Sequence, residues 1–160
     1  MLDLHAFFDI TPLAWPEILV CVICGTIVGL ERQLRGKPVG IRTSSLIVLG
    51  TYAFVALAQS LDNEVTDTSR IIGQVVTGVG FLGAGVMLSK DGVVLGVTSA
   101  ATIWALAAIG VSVAVAGHLM AVKLAFVVIT ILVGVDILES YSTALTRGVH
   151  SRYSSWRKRR

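Results

Sequence analysis

Charge is scarce in this chain. Only 14% of its 160 residues are Asp, Glu, Lys or Arg, against about 25% in soluble domains, which excludes a solvated globular surface over most of the length. The first ten residues, MLDLHAFFDI, hold no Lys or Arg, and no small-residue cleavage site follows the first apolar run, so a secretory leader is not expected. Cysteine is confined to Cys21 and Cys24, and histidine to His5, His118 and His150. That set is too small and scattered for a four-ligand zinc site, and the Cys pair lies in an apolar run rather than the soluble βαβ setting of a redox motif. Packing is the expected role of the pair. No Ser/His/Asp or Cys/His arrangement, phosphate loop or pair of catalytic carboxylates can be assembled, so neither an enzyme, a cofactor nor a bound metal is expected. The acids Asp62, Glu64 and Asp67 lack the spacing of an EF-hand and amount at most to a weak surface site for a hard cation. A net charge of +3 gives no ground for nucleic-acid binding.

What the chain has in quantity is apolar surface: 54% hydrophobic residues and a mean hydropathy of +0.81. A membrane helix needs about 20 mostly apolar residues, and five segments qualify, at about 13–30, 44–61, 71–88, 97–116 and 119–138. The expectation is an all-α membrane protein, a compact bundle of five transmembrane helices in a bilayer. Residues 1–12 would form an outer segment, 13–140 the membrane domain and 141–160 a basic tail. Lys and Arg accumulate in cytoplasmic loops. Arg32, Arg35, Lys37 and Arg42 lie between the first two segments, Lys90 between the third and fourth, and Arg147, Arg152, Arg157, Lys158, Arg159 and Arg160 in the tail. All fall on one side of a five-span chain, with Arg70 and Lys123 elsewhere, so the amino terminus is expected outside and the carboxyl terminus inside. Lys123 would snorkel to the outer interface.

The stretch GVGFLGAGV contains G-x-G-x-x-G at Gly78, Gly80 and Gly83. A dinucleotide fingerprint needs a strand before it, a helix opening after it and an acid about 20 residues on; here it lies within an apolar helix. Small residues let helices approach closely in lipid. Gly73, Gly80 and Ala84 share one helical face and Gly78 and Gly85 another, which predicts a third helix with two close neighbours, central in the bundle. Gly25-x-x-x-Gly29 in the first helix, and Ala101, Ala105, Ala108 and Ser112 in the fourth, form further small stripes. One such face is left open for a homodimer or other homo-oligomer.

Polar groups near the bilayer need reasons, because a charge at a helix centre costs about 2.5–3.5 kcal/mol on insertion scales. Asp136 is expected to pair with Arg147 or with the basic loop after the first helix. For Glu31 two readings stand: an i,i+4 pair with Arg35 on an interfacial turn, or a polar pocket made with Arg32, Arg35 and Arg42. Gln74 and Thr77 are expected to bond across helices, and Thr98 and Ser99 to stand at the N-cap of the fourth helix.

Three ordered blocks, GLERQLRGKPVGIRT (29–43), DTSRIIGQVVTGVGFLGAGV (67–86) and GVTSAATIWALAAIG (96–110), resemble the MgtC/SapB family of bacterial inner-membrane proteins. The resemblance implies a multi-pass inner-membrane domain and a role in growth under magnesium limitation, including survival of pathogens inside host cells. It also implies membrane partners, ATPase complexes among them. By position, Glu31, Arg32, Arg42 and Thr43 match the first block. Asp67, Arg70, Gln74, Gly80 and Gly83 match the second, and Thr98, Ala100, Ala101, Thr102 and Trp104 the third. Ser44, Thr68 and Leu95 stand where the family often has His, Pro and Arg. Many members carry a soluble carboxyl-terminal domain, which the short tail here is not expected to form. The leading expectation is a non-enzymatic protein that modulates a membrane partner. The alternatives are a cation transporter using Glu31, Asp136 and Gln74, and a structural subunit of a membrane complex.

Overall fold

The computed structural model describes residues 8–61, 67–90 and 93–141. The basic tail with its six cations, and the acids Asp62 and Glu64, lie outside the described residues. Five helices follow one another: α1 (Trp15–Leu34), α2 (Ile41–Ser60), α3 (Thr68–Gly85), α4 (Val97–Val115) and α5 (His118–Tyr141). A short antiparallel hairpin, β1 (Leu88–Lys90) with β2 (Val93–Leu95), joins α3 to α4. The helix ends fall within a few residues of the five apolar segments.

Local chemistry sets the boundaries. Pro16 stands in the first turn of α1, where its missing N–H leaves nothing unbonded. The helix ends at Gly36, whose φ of 61° is the left-handed conformation that a side chain resists. Gly36 N–H donates to Gln33 O and Lys37 N–H to Arg32 O, the pair of bonds that closes a Schellman turn. The Gln33 amide oxygen then accepts from Ile41 N–H, so the end of α1 caps the start of α2. Ser44 Oγ donates to Val39 O at 3.0 Å and ties down a residue whose φ is 69°.

The first two helices pack backbone to backbone. A Cβ placed on Gly25 would lie 2.5 Å from Ser45 Cα, and one on Gly29 would lie 2.5 Å from Ile41 Cα. Because Gly25 faces Ser45 and Gly29 faces Ile41, α1 and α2 run antiparallel. The other side of α2 meets α4 through Gly110, whose Cβ would sit 2.5 Å from Val48 O and 2.7 Å from Thr51 Cβ. Cys21, Cys24 and Val28 of α1, Val48 and Val55 of α2, and Ile103, Leu106 and Ile109 of α4 are fully enclosed between them. Both thiols are free. α5 lies on α1 and α4, burying Ala121 and Ala125.

Two packing expectations are overturned. α3 is peripheral rather than central: it touches α4 and, more sparsely, α2, and buries only Val79 and Gly83. Cβ atoms on Gly73, Gly78, Gly80 and Gly85 would meet nothing within 4 Å, whereas one on Gly83 would be in ordinary contact with Ala100. In α4 the alanine stripe is not the packed face. Ala101 is exposed and Ala105 and Ala108 half-buried, while Ser99, Thr102, Ile103, Leu106, Ile109, Gly110 and Val113 turn inward. Small stripes permit close approach without choosing a partner, and this chain has more of them than it has close neighbours.

The N-cap of α4 is also corrected. Gly96, at φ 88°, takes that position, and a Cβ there would lie 2.3 Å from Val86 O, so Thr98 and Ser99 fall inside the first turn. Asp67 caps α3 by accepting from Ser69 N–H at 2.9 Å. The hydrogen bonds from Ser69 hold its carboxyl below the usual carboxylate range. The cap's contribution is therefore complete above the ordinary carboxylate value and lost as pH falls through the lowered one. In Asp67→Ala the Ser69 amide should exchange hydrogen faster at neutral pH, whereas Asp67→Asn should keep it protected; equal exchange in all three would remove the cap from the account.

Among the described residues, three helices are long and apolar enough to cross a membrane: α2, α4 and α5 through Leu138. α1, with Glu17, Glu31 and Arg32, and α3, with Arg70 and Gln74, are more polar and fall short of that measure.

Candidate functional site

The Schellman turn fixes the last turns of α1, and the chemistry of the chain gathers there. Glu31 and Arg32 are both buried, at 9% and 4% exposure. Arg35 Nε lies 2.8 Å from Glu31 Oε1, one helical turn on, where i,i+4 neighbours meet. Arg32 Nη1 is 3.5 Å from Glu31 Oε2, and its Nη2 donates to Ser99 Oγ of α4 at 3.3 Å. Arg35 also forms an ion pair with the half-exposed Asp136 of α5. Two carboxylates and two guanidiniums thus join α1, α4 and α5 in a group with no net charge.

The group is electrostatically paired but short of hydrogen bonds. Both Glu31 oxygens and Arg32 Nε are buried without a well-formed hydrogen bond, although Arg35 Nε stands 2.8 Å from Glu31 Oε1. Buried charges of this kind repay their desolvation only with good geometry. A bulk packing element gains little from such a cluster, whereas a site that exchanges partners uses the unmet capacity.

Of the two readings of Glu31, the i,i+4 pair with Arg35 is present, and Glu31 in it is buried beside Arg32. Asp136 meets the basic segment after α1 through Arg35. Arg42 and Thr43 lie at the same end, since Ile41 abuts Gly29, but both are exposed, and Arg42 makes no ion pair among the described residues. Asp67 and Arg70 are elsewhere. Gly83 of α3 meets Ala100 beside the cluster, and at about 1.5 Å per residue Asp67 is about 24 Å further along. Thr98 and Trp104 are exposed, and Thr102 is buried with its hydroxyl donating to Thr98 O at 2.8 Å. Thr77 likewise bonds within its own helix, to Gly73 O.

Gln74 does not join Glu31 and Asp136. It lines an open groove of about 670 Å³ between α2 and α3. Two features escaped the sequence. Ser99, which reads as a cap, is the partner of Arg32. At the far end, His118 Nε2 of α5 lies 3.2 Å from Glu17 Oε1 of α1; only their places in the first turns of two helices hint at the contact.

A model of the MgtC family matches residues 18–141. The chain is 48% identical over 100 residues to an Escherichia coli K12 protein named "Putative magnesium transporter YhiD", a match covering 58% of this chain and 46% of that one. It is 40% identical over 105 residues to an uncharacterized protein of Haemophilus influenzae, covering 60% of this chain and 44% of that one. With Protein MgtC of Brucella abortus it shares 38% over 89 residues, 56% of this chain and 37% of the relative. The matched region spans less than half the length of these relatives. No solved structure matches the chain.

Proposed function

Because the chain belongs to the MgtC family and is a helical membrane protein with three long apolar helices, we propose that it supports adaptation to magnesium limitation from the bacterial inner membrane, as a non-enzymatic modulator of a membrane partner. All five helices cross the bilayer in this reading. α1 and α3 are carried by their packing on the three apolar helices, and the end bearing Glu31, Arg32, Arg35 and Arg42 faces the cytoplasm under the bias of Lys and Arg. The observation that carries the reading is the buried, incompletely bonded cluster on three helices at that face. Intramembrane ionisable residues are costly to keep and mark function by default. Occupation of the cluster by a partner's polar group would complete the bonding of Glu31 and Arg32 and shift α1 against α4 and α5. The partner is a membrane protein, an ATPase complex or a second copy of the chain.

In a strain lacking the chain, growth at limiting magnesium should be restored by the wild type and not by Glu31→Ala or Arg42→Ala, with equal amounts of each in the membrane. Normal growth with either variant would overturn the assignment of that residue. A second reading, cation transport, is favoured by the name of the Escherichia coli relative. It loses its path through Gln74, which lines a groove that neither Glu31 nor Asp136 lines. Magnesium, proton or potassium flux in liposomes above that of empty vesicles would favour transport over modulation.

A further inference from the structure

The groove between α2 and α3 is built unlike the rest of the bundle. Its walls run from Thr43 to Phe54 on α2 and from Ile71 to Leu82 on α3. Each wall is about 16 Å long at 1.5 Å per residue, close to half of a hydrocarbon core of about 30 Å. The depth is that of one leaflet. The lining is apolar apart from Thr43, Thr51 and Gln74. Two glycines widen it, Gly50 on one wall and Gly78 on the other. Neither is required by packing within the chain, because a Cβ on either would meet nothing within 4 Å.

A cation stands at one end. Leu46, Gly50 and Phe54 form an i,i+4 row along the α2 wall, and the residue one turn before Leu46 in that row is Arg42. It is exposed, has no ion pair among the described residues, and lies at the end of the bundle that carries Arg32 and Arg35. An apolar channel one leaflet deep, with a guanidinium near its interfacial mouth that has no ion pair among the described residues, matches a fatty acyl chain with a phosphate above it. Arginine suits that phosphate because its planar fork bonds phosphate oxygens bidentately, and an anionic headgroup has no cation of its own to offset the attraction.

We infer that the groove between α2 and α3 holds an acyl chain of an anionic phospholipid, whose phosphate rests on Arg42. This goes beyond the role in magnesium limitation and depends only on the bilayer placement. Bound lipid would complete the sparse contact between α3 and α2, and link the position of α3 to the lipid composition of the inner leaflet.

The test is native mass spectrometry of the full chain released from detergent with equal amounts of phosphatidylglycerol and phosphatidylcholine bearing identical chains. At about 1 kcal/mol per surface Arg, wild type should retain the anionic lipid about fivefold over the zwitterionic one. Arg42→Gln should lower the preference about fivefold and Arg42→Lys should largely keep it. Gly78→Leu, whose side chain has open space to enter, should reduce retention of both lipids. Equal retention by wild type, an undiminished preference in Arg42→Gln, or unaltered binding in Gly78→Leu would overturn the inference. So would efficient disulfide pairing of a Gly78→Cys variant with its twin in native membranes, which would assign the groove to a second copy. Low-magnesium growth is a separate readout, so failure here leaves the role of the Glu31 cluster standing.

Discussion

Gly25→Val is expected to prevent α1 from seating on α2 and to leave little folded protein in the membrane. The atom that a Cβ would strike, Ser45 Cα at 2.5 Å, is backbone, with no rotamer to move aside. Overpacking costs about 1–3 kcal/mol where side chains can adjust, and more where they cannot. Gly29→Val should behave alike, its Cβ falling 2.5 Å from Ile41 Cα. Even Ala at either position should lower the thermal midpoint in detergent by several degrees. The same substitution in α3 should act in the opposite sense. Gly78→Ala and Gly80→Ala meet open space and gain up to about 1 kcal/mol of helix propensity. Tryptic resistance and melting of the four alanine variants side by side check the contrast. Equal loss at Gly25 and Gly80 would mean that α3 is packed as tightly as α1 and would overturn its peripheral placement.

Arg32→Met should cost about 3–5 kcal/mol, the usual penalty for stranding one partner of a buried ion pair. Glu31 would keep Arg35 but lose the guanidinium that screens Oε2, and Ser99 would lose its donor. Replacing both charges, Glu31→Leu with Arg32→Met, should recover most of that loss, because apolar side chains of similar size in place of a buried pair are often neutral or stabilising. Melting of the single and double variants in the same detergent gives the coupling directly. If the double variant were as unstable as the sum of the singles, the two residues would not act as a pair.

These contrasts show what the sequence discloses. Helix positions were legible because apolar runs of membrane length have few alternatives, and Gly25-x-x-x-Gly29 was legible because α1 and α2 are joined by a short loop and must pack. The placement of α3 was not. Its glycines resemble those of α1 in spacing, and only the tertiary arrangement shows that Gly73, Gly78, Gly80 and Gly85 face open space. In α4, Ala101, Ala105 and Ala108 formed the conspicuous stripe, yet the inward face carries Ile103, Leu106, Ile109 and the single Gly110 that lets α2 approach. At the site, the Glu31–Arg35 pair follows from helical spacing alone. Ser99 and Asp136 lie far along the chain, and their arrival at Arg32 and Arg35 depends on how α4 and α5 dock. Arg42, which sequence reasoning grouped with Glu31, shares that end of the bundle but not its contacts.

In this reading the charges of the cluster serve function and are not needed to hold the helices together. Growth at limiting magnesium of a strain that carries only the Glu31→Leu, Arg32→Met chain, at wild-type abundance and with its melting temperature recovered, tests that view most directly. The expected result is a folded, correctly inserted protein that fails to support growth. Growth equal to wild type would show that these charges are dispensable for function and would contradict the proposed role.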